Sequence, residues 1–98
     1  MALRFDHDAI KDAQNLKKHK ISFGTAEQAF GDPNQVVVEN YWFADEGEQR
    51  YQMIGPTATG ALLTVVFVYR LEEGDEIIRI ISARKATAYE TKLYTAQG

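Results

Sequence analysis

One segment constrains the fold of this chain more than any other: the stretch from Ile77 to Thr87, which reads IIRIISARKAT. Its isoleucines occupy both odd and even positions, so both faces of an extended backbone would be apolar. Such a run is typical of a strand that has neighbours on both sides. The sequence therefore predicts a central strand over Glu76–Arg84.

Cations interrupt and follow this strand. A guanidinium inside a strand, as at Arg79, is costly to bury unless it finds a partner, a cleft or a ligand. Arg84 and Lys85 come where the strand gives way to a helix start, whose free N–H groups favour anions, and guanidinium groups match phosphate geometry. Two interpretations stay open: an ion pair at the strand end, which composition alone favours, or an anion-binding site.

Strand parity separates the two arginines. Arg79 and Arg84 are five positions apart, so they would point to opposite faces of a regular strand, whereas Arg79 and Lys85 would share a face. Only a β-bulge would bring the two arginines to the same face. Arg79 is the preferred residue for a cleft.

Three helices are predicted from their N-cap residues and apolar spacing. The first helix should present its apolar side chains to one side. The predicted helices are about Ala9–Lys18 after Asp6 or Asp8, Ser22 to about Phe30, and a C-terminal helix that begins at the capping box Thr87–Glu90. The apolar side of the first would be formed by Ala9, Ile10, Ala13 and Leu16.

The remaining chain reads as short strands separated by turns. Together with the helices they give the order β-α-α-β-β-β-β-α in a single domain over residues 1–98. We expect an α+β fold with two N-terminal helices, an antiparallel sheet of four to five strands and a C-terminal helix. The predicted strands are Ala2–Phe5, Gln35–Asn40, Arg50–Gly55, Ala61–Tyr69 and Glu76–Arg84.

Composition excludes several classes of protein. The chain has no cysteine and only two histidines, His7 and His19, which are too far apart for a helical ligand pair, so no metal site is expected. There is no signal peptide and no apolar run long enough to span a membrane, so a cytoplasmic location without membrane contact is expected.

Charge is distributed unevenly. The formal net charge of −3 argues against a general nucleic-acid binder. The stretch Lys11–Lys20 nevertheless holds four lysines, a histidine and one acid, whereas Ile21–Gln49 holds six acids and no lysine or arginine. An acidic chain can therefore carry a local cationic cleft, and its acidic part can dock a basic partner.

Four short motifs point to one protein family. In order they are Asn15–Phe23 (NLKKHKISF), Gly47–Tyr51 (GEQRY), Arg79–Ala86 (RIISARKA), and the spaced pair Glu90 and Tyr94. Their order and spacing resemble the BrnT family of bacterial type II toxins over nearly the whole chain. The resemblance implies a compact RelE-like fold and a metal-independent endoribonuclease that blocks translation and needs no cofactor.

The resemblance also implies partners. These are an RNA substrate and a BrnA-like antitoxin with a ribbon-helix-helix DNA-binding domain. The toxin–antitoxin complex would repress its own operon, so operator DNA would be contacted only through the antitoxin. A second hypothesis is a non-catalytic member that retains only antitoxin binding and autoregulation.

Candidate site residues follow from the chemistry of RNA cleavage. The 2′-hydroxyl of RNA attacks the adjacent phosphorus, which needs a base, an acid and cations near the developing charge. The matching motifs offer Lys18, His19, Glu48, Arg50 and Arg79 as catalytic candidates, and Lys17, Arg84 and Lys85 as RNA-binding candidates. The alternatives are a solvated lysine face, a helix-end histidine and charge pairing across the sheet.

An aromatic run departs from the family pattern, in which a more polar loop is expected. Tyr41, Trp42 and Phe43 are followed by the acids Asp45 and Glu46. Exposed aromatic residues are enriched in interfaces, so we interpret these five residues as an antitoxin-binding segment. Stacking on RNA bases and packing in the core are the alternatives.

Overall fold

The computed structural model of this protein describes residues 3–32, 34–45 and 48–96, and within residues 39–49 it describes no side chain. In these ranges the element order is the predicted one. The elements are β1 (Leu3–Asp6), α1 (Ala9–His19), α2 (Phe23–Glu27), β2 (Val36–Asp45), β3 (Glu48–Pro56), β4 (Leu62–Glu72), β5 (Asp75–Lys85) and α3 (Ala88–Thr95). The second helix is shorter than predicted, because the chain tightens into a 3-10 turn over Gln28–Gly31.

The sheet is mixed, so the prediction of an antiparallel sheet is wrong for one strand. The strand order is β1-β5-β4-β3-β2, and β1 pairs with β5 in parallel from Leu3 opposite Glu76 to Asp6 opposite Arg79. Parallel neighbours need a long connection, and here everything from α1 to β4 separates them. The other three pairings are antiparallel.

One face of the sheet carries the apolar core. Phe23, Ala26 and Ala29 pack against side chains of β3, β4 and β5, which include Met53, Val65, Phe67, Ile78, Ile80 and Ala83. Strand β5 lies between β1 and β4, as expected for a strand with isoleucines on both faces. Ile77 on the opposite face is only 3% exposed, which shows burial on both sides of β5.

A β-bulge in β5 places the arginines. Val66 pairs with Ser82 and Phe67 pairs with Ile80, so Ile81 is the additional residue of β5. Because of this insertion, Arg79 (opposite Val68) and Arg84 (opposite Thr64) lie on the same face of the sheet. We call the face opposite the apolar core the arginine face, because Arg50, Arg70, Arg79 and Arg84 lie on it.

Helix α1 packs on the sheet with a polar side, and the predicted apolar side of the helix faces solvent. Its buried residue is Asn15, which is 6% exposed, whereas Ile10 is 69% exposed and Leu16 is 49% exposed. Asn15 Nδ2 donates to the carbonyl oxygens of Ile21 and Ala83, both at 2.8 Å, and the Ala83 N–H donates to Asn15 Oδ1 at 3.0 Å. Strand β1 ends opposite Arg79, so the later part of β5 has no neighbouring strand on the β1 side. The backbone groups of β5 that face this side therefore need hydrogen-bond partners from side chains such as Asn15.

Candidate functional site

A row of side chains crosses the arginine face. Arg50 on β3 lies opposite Val68 on β4, Val68 lies opposite Arg79 on β5, and Arg79 lies beside Asp6 on β1. Directly paired residues point to the same side of a sheet, and strands are about 4.8 Å apart, so the Arg50 and Arg79 backbones are roughly 10 Å apart. Long guanidinium side chains at that spacing can approach one phosphate from two sides.

Arg79 has an internal partner. Its Nη1 lies 3.1 Å from Asp6 Oδ2, and Nη2 of Arg70 lies 3.7 Å from the same oxygen. The ion-pair interpretation of the sequence is therefore correct in part. The Arg79 side chain is still 38% exposed, so its other N–H groups can reach a ligand on the arginine face.

A cavity opens beside this ion cluster, with a volume of about 280 Å³. Its lining combines two apolar residues with charges of both signs, and sequence reasoning missed it because its members come from β1, β4 and β5. Its lining residues are Arg4, Phe5, Asp6, Arg70, Glu72 and Ile77.

Arg50 has one guanidinium nitrogen without a partner among the described residues. Its side chain is partly buried, and its Nε is shielded from solvent without a hydrogen-bond partner among the described residues. A buried guanidinium donor without an acceptor carries a desolvation cost that a bound anion would offset. Arg50 therefore favours an anionic ligand at this point of the sheet.

Lys18 and His19 lie beside the part of β5 that continues beyond the end of β1. They line a shallow cavity of about 190 Å³ together with Ser82, which lies on β5 just after the bulge. The remaining lining residues are Lys11, Gln14, Asn15 and Ile81. The structure thus brings the C-terminal end of α1 to the bulge, between the strand positions of Arg79 and Arg84.

Arg84 holds α3 to the sheet. Its Nη1 and Nη2 donate to the two carboxylate oxygens of Glu90 at 2.7 and 2.9 Å. Glu90 Oε1 also accepts from the Thr64 hydroxyl and the Thr87 N–H, both at 2.8 Å, which completes the predicted capping box. Because Nη1 and Nη2 of Arg84 both donate to Glu90, the contact of Arg84 with RNA stays a prediction.

The same network controls the ionisation of Glu90. The hydrogen bond from Arg84 is the main cause that lowers the pKa of the Glu90 carboxyl to about 2. Near the other end of α3, the Tyr94 hydroxyl donates to Asp32 Oδ2 at 2.6 Å, and this bond raises the pKa of Tyr94. The spaced pair Glu90 and Tyr94 of the sequence motif therefore attaches α3 at two points.

Acid should weaken this attachment. Glu90 has a lowered pKa in the folded chain, so its stabilisation is present above its ordinary pKa of 4.5 and is lost as the pH falls towards about 2. The shift corresponds to at most about 3 kcal/mol of the free energy of unfolding. We expect Glu90→Gln to flatten the dependence of stability on pH in this window, as measured by urea unfolding.

The matched control is Glu72→Gln, which removes a carboxylate from the more exposed ion pair with Arg70. Exposed pairs contribute little, so this variant should keep the parental pH profile. Equal flattening in both variants would contradict the role of Glu90.

The other candidates are placed less completely. Glu48 is the first residue of β3 and Lys85 is the last of β5, where Lys85 is exposed and lies opposite Leu63 on the core side. Lys17 is exposed on α1. The Glu48 side chain lies outside the described part of the chain.

The aromatic run belongs to a strand rather than a loop. Strand β2 was predicted to end at Asn40 but continues to Asp45, so Tyr41, Trp42, Phe43 and Asp45 are strand residues. The backbone of β2 forms one edge of the sheet. The side chains of these residues and all of Glu46 lie outside the described residues, so their antitoxin-binding role stays a prediction.

Among the described side chains, no group of three or more histidines and acids is arranged as metal ligands. No helix in the described ranges has both the length and the apolar character needed to cross a membrane.

Comparison with known proteins gives two similarities. A family model described as "Ribonuclease toxin, BrnT, of type II toxin-antitoxin system" matches residues 7–90. The fold is similar to that of the 1.1 Å crystal structure of the Brucella abortus ribonuclease toxin BrnT, with a TM-score of 0.60, 23% identity, and coverage of 87% of this chain and 97% of that chain. No curated protein matches the chain.

Proposed function

Because this chain belongs to the BrnT family of ribonuclease toxins of type II toxin–antitoxin systems, we propose that it is a metal-independent endoribonuclease that cleaves RNA and inhibits translation in the cytoplasm. The observation that carries the proposal is the row of Arg50 and Arg79 on the arginine face, where Arg50 Nε has no hydrogen-bond partner among the described residues. Two guanidinium groups at this spacing suit the charge that develops on a phosphodiester during cleavage.

The proposed reaction uses the RNA's own nucleophile. The 2′-oxygen forms a bond to phosphorus while the bond from phosphorus to the 5′-oxygen breaks. A base accepts the 2′-hydroxyl proton, an acid gives a proton to the departing 5′-oxygen, and the products are a 2′,3′-cyclic phosphate and a 5′-hydroxyl. Lys18, His19 and Glu48 are the proton-transfer groups, and Arg50 and Arg79 stabilise the charge on phosphorus-bound oxygens.

Three further cations would hold the flanking RNA backbone. Lys17 is exposed on α1, while Arg84 and Lys85 lie at the end of β5. Phosphate contacts of this kind contribute affinity that falls as salt is added. Arg84 would attract the phosphate backbone of the RNA only through its charge, because Nη1 and Nη2 of its guanidinium already donate to Glu90.

Cleavage should survive chelation. With purified protein and single-stranded RNA, activity is expected to be unchanged in excess EDTA, because the proposed acid, base and charge stabilisers are all side chains. End-group analysis should find 2′,3′-cyclic phosphate or 3′-phosphate ends. Loss of cleavage in EDTA that returns with added Mg²⁺ or Mn²⁺ would overturn the metal-independent mechanism.

The second candidate function is a non-catalytic member that retains antitoxin binding and operon autoregulation. The pairing of Arg79 with Asp6 is the observation that favours it, since an internal carboxylate already occupies the place of a substrate anion. Growth inhibition on expression without the antitoxin separates the two functions, because only the nuclease would be toxic.

The family assignment implies a protein antitoxin, which we propose to be BrnA-like. Its ribbon-helix-helix domain would bind operator DNA, and this chain would reach DNA only through it. We further propose that Tyr41, Trp42, Phe43, Asp45 and Glu46 contact the antitoxin. The position of β2 at the sheet edge supports this, because an edge strand offers unpaired backbone groups to a partner.

A further inference from the structure

Helix α1 leaves an apolar stripe uncovered. Ala9, Ile10, Ala13 and Leu16 recur at helical spacing on one side of the helix, and all four are exposed. Ile10 and Leu16 are among the large apolar side chains of the described residues that solvent reaches most fully, at 69% and 49% exposure. Aliphatic side chains spaced as i, i+3 and i+6 or i+7 form the usual contact side of an amphipathic helix.

The stripe has no function in holding α1 in place. The helix is fixed on its opposite side by polar contacts, namely those of Asn15 with Ile21 and Ala83 and that of Asp12 Oδ1, which accepts from the Phe23 N–H at 2.9 Å. Its N-terminus is capped by the Asp8 side chain. Folding of this chain therefore does not explain why Ile10 and Leu16 are apolar.

Cations accompany the stripe. Lys17 follows Ala13 by four positions and Ile10 by seven, so it lies on the same side, and Lys20 ends the helix. The acids of α1 are already engaged, Asp8 as the N-cap and Asp12 with Phe23. A partner that covers the stripe should therefore combine aliphatic side chains with carboxylates.

We infer that the stripe is a docking site for an acidic amphipathic segment of the antitoxin. The inference rests on the toxin–antitoxin pairing in the proposed function and adds the surface and the chemistry of the segment. A second copy of this chain is a poor occupant, because it would bring its own lysines against Lys17 and Lys20. RNA is also disfavoured, since a phosphate backbone gains nothing from exposed Ile10 and Leu16.

Docking on this stripe would also explain neutralisation. Lys17, one of the proposed RNA-binding cations, lies on the same side of α1 as the stripe, whereas Lys18 and His19 line the cavity beside the bulge of β5 together with Asn15, on the other side of the helix. A segment lying along the stripe would cover Lys17 and leave the arginine face open. The antitoxin would thus remove an RNA contact by covering α1.

The test is an equilibrium binding titration with the purified product of the reading frame adjacent to the one that encodes this chain. The double variant Ile10→Gln and Leu16→Gln keeps the charge and the helix propensity but removes the apolar surface. We expect at least tenfold weaker antitoxin binding with unchanged RNA cleavage, so the variant should remain toxic in the presence of the antitoxin. The control is Leu71→Gln, an equally uncharged change at an exposed leucine of β4.

The possible outcomes separate this inference from the proposed function. Parental antitoxin affinity in the double variant would overturn the docking site, and a loss in Trp42→Ala alone would assign docking to β2. Parental affinity combined with weaker RNA cleavage would make the stripe an RNA contact. Weaker antitoxin binding in a chain that never cleaves RNA would uphold the docking site and overturn the nuclease. If the neighbouring protein does not bind at all, the docking site is rejected.

Discussion

Asn15→Leu is expected to lower the free energy of unfolding by about 4 kcal/mol. The side chain of Asn15 satisfies three backbone groups: the N–H and the carbonyl of Ala83, and the carbonyl of Ile21. Leucine has a similar size but no polar atom, so these groups would remain buried without partners, and each lost partner costs roughly 1–3 kcal/mol. This is a large share of the stability of a small domain, about 5–15 kcal/mol in total.

Urea unfolding of three variants measures this effect. Asn15→Asp keeps the acceptor for the Ala83 N–H but places the second carboxylate oxygen against two carbonyl oxygens, so it should be destabilised as well. Gln14→Leu changes the exposed neighbour of Asn15 and should stay within about 0.5 kcal/mol of the parent, as is usual for surface changes. Unfolding of Asn15→Leu at the parental urea concentration would show that the hydrogen bonds of Asn15 do not stabilise the fold.

Arg79→Ala is expected to reduce the rate of RNA cleavage by roughly two to three orders of magnitude while the chain stays folded. The rate effect is that of losing a positioned charge stabiliser in the transition state. Folding should persist because the pair of Arg79 with Asp6 is partly exposed on both sides, and such pairs contribute about 1 kcal/mol or less.

Arg70→Ala is the matched control. Arg70 shares the Asp6 carboxylate and the same face of the sheet but lies outside the row of Arg50 and Arg79. Its loss should change the cleavage rate little. Full activity and toxicity in a folded Arg79→Ala chain would remove Arg79 from the mechanism, whereas unfolding of that chain would assign it to a structural ion pair.

The sequence predicted what depends on local patterns. Residue type and spacing within a few positions predicted the strand over β5, the order of elements, and the caps at Ser22 and Thr87. They also predicted a cap at Asp6 or Asp8, and Asp8 is the N-cap of α1. The final helix begins where its capping box places it, because both of its reciprocal hydrogen bonds are local.

The sequence failed where distant contacts decide. The parallel pairing of β1 depends on where β5 finally lies, and the bulge at Ile81 depends on the register between β4 and β5. Apolar spacing showed which residues share one side of α1, but not which side packs on the sheet; the backbone of β5 that has no strand neighbour decides that through Asn15. The Arg50–Arg79 row was therefore beyond sequence reasoning, although both residues were named. The RelE-like classification stays a prediction.

The attachment of α3 has a consequence for how the protein responds to salt. No residue of α3 is buried, and the helix is connected to the rest of the chain by Glu90 with Arg84 and Thr64, and by Tyr94 with Asp32. Added salt screens ionic contacts, while salting-out ions such as sulfate favour apolar burial. Sulfate should thus strengthen the apolar core while it weakens the ionic contact of Glu90 with Arg84, so the core and the attachment of α3 respond to this salt in opposite directions.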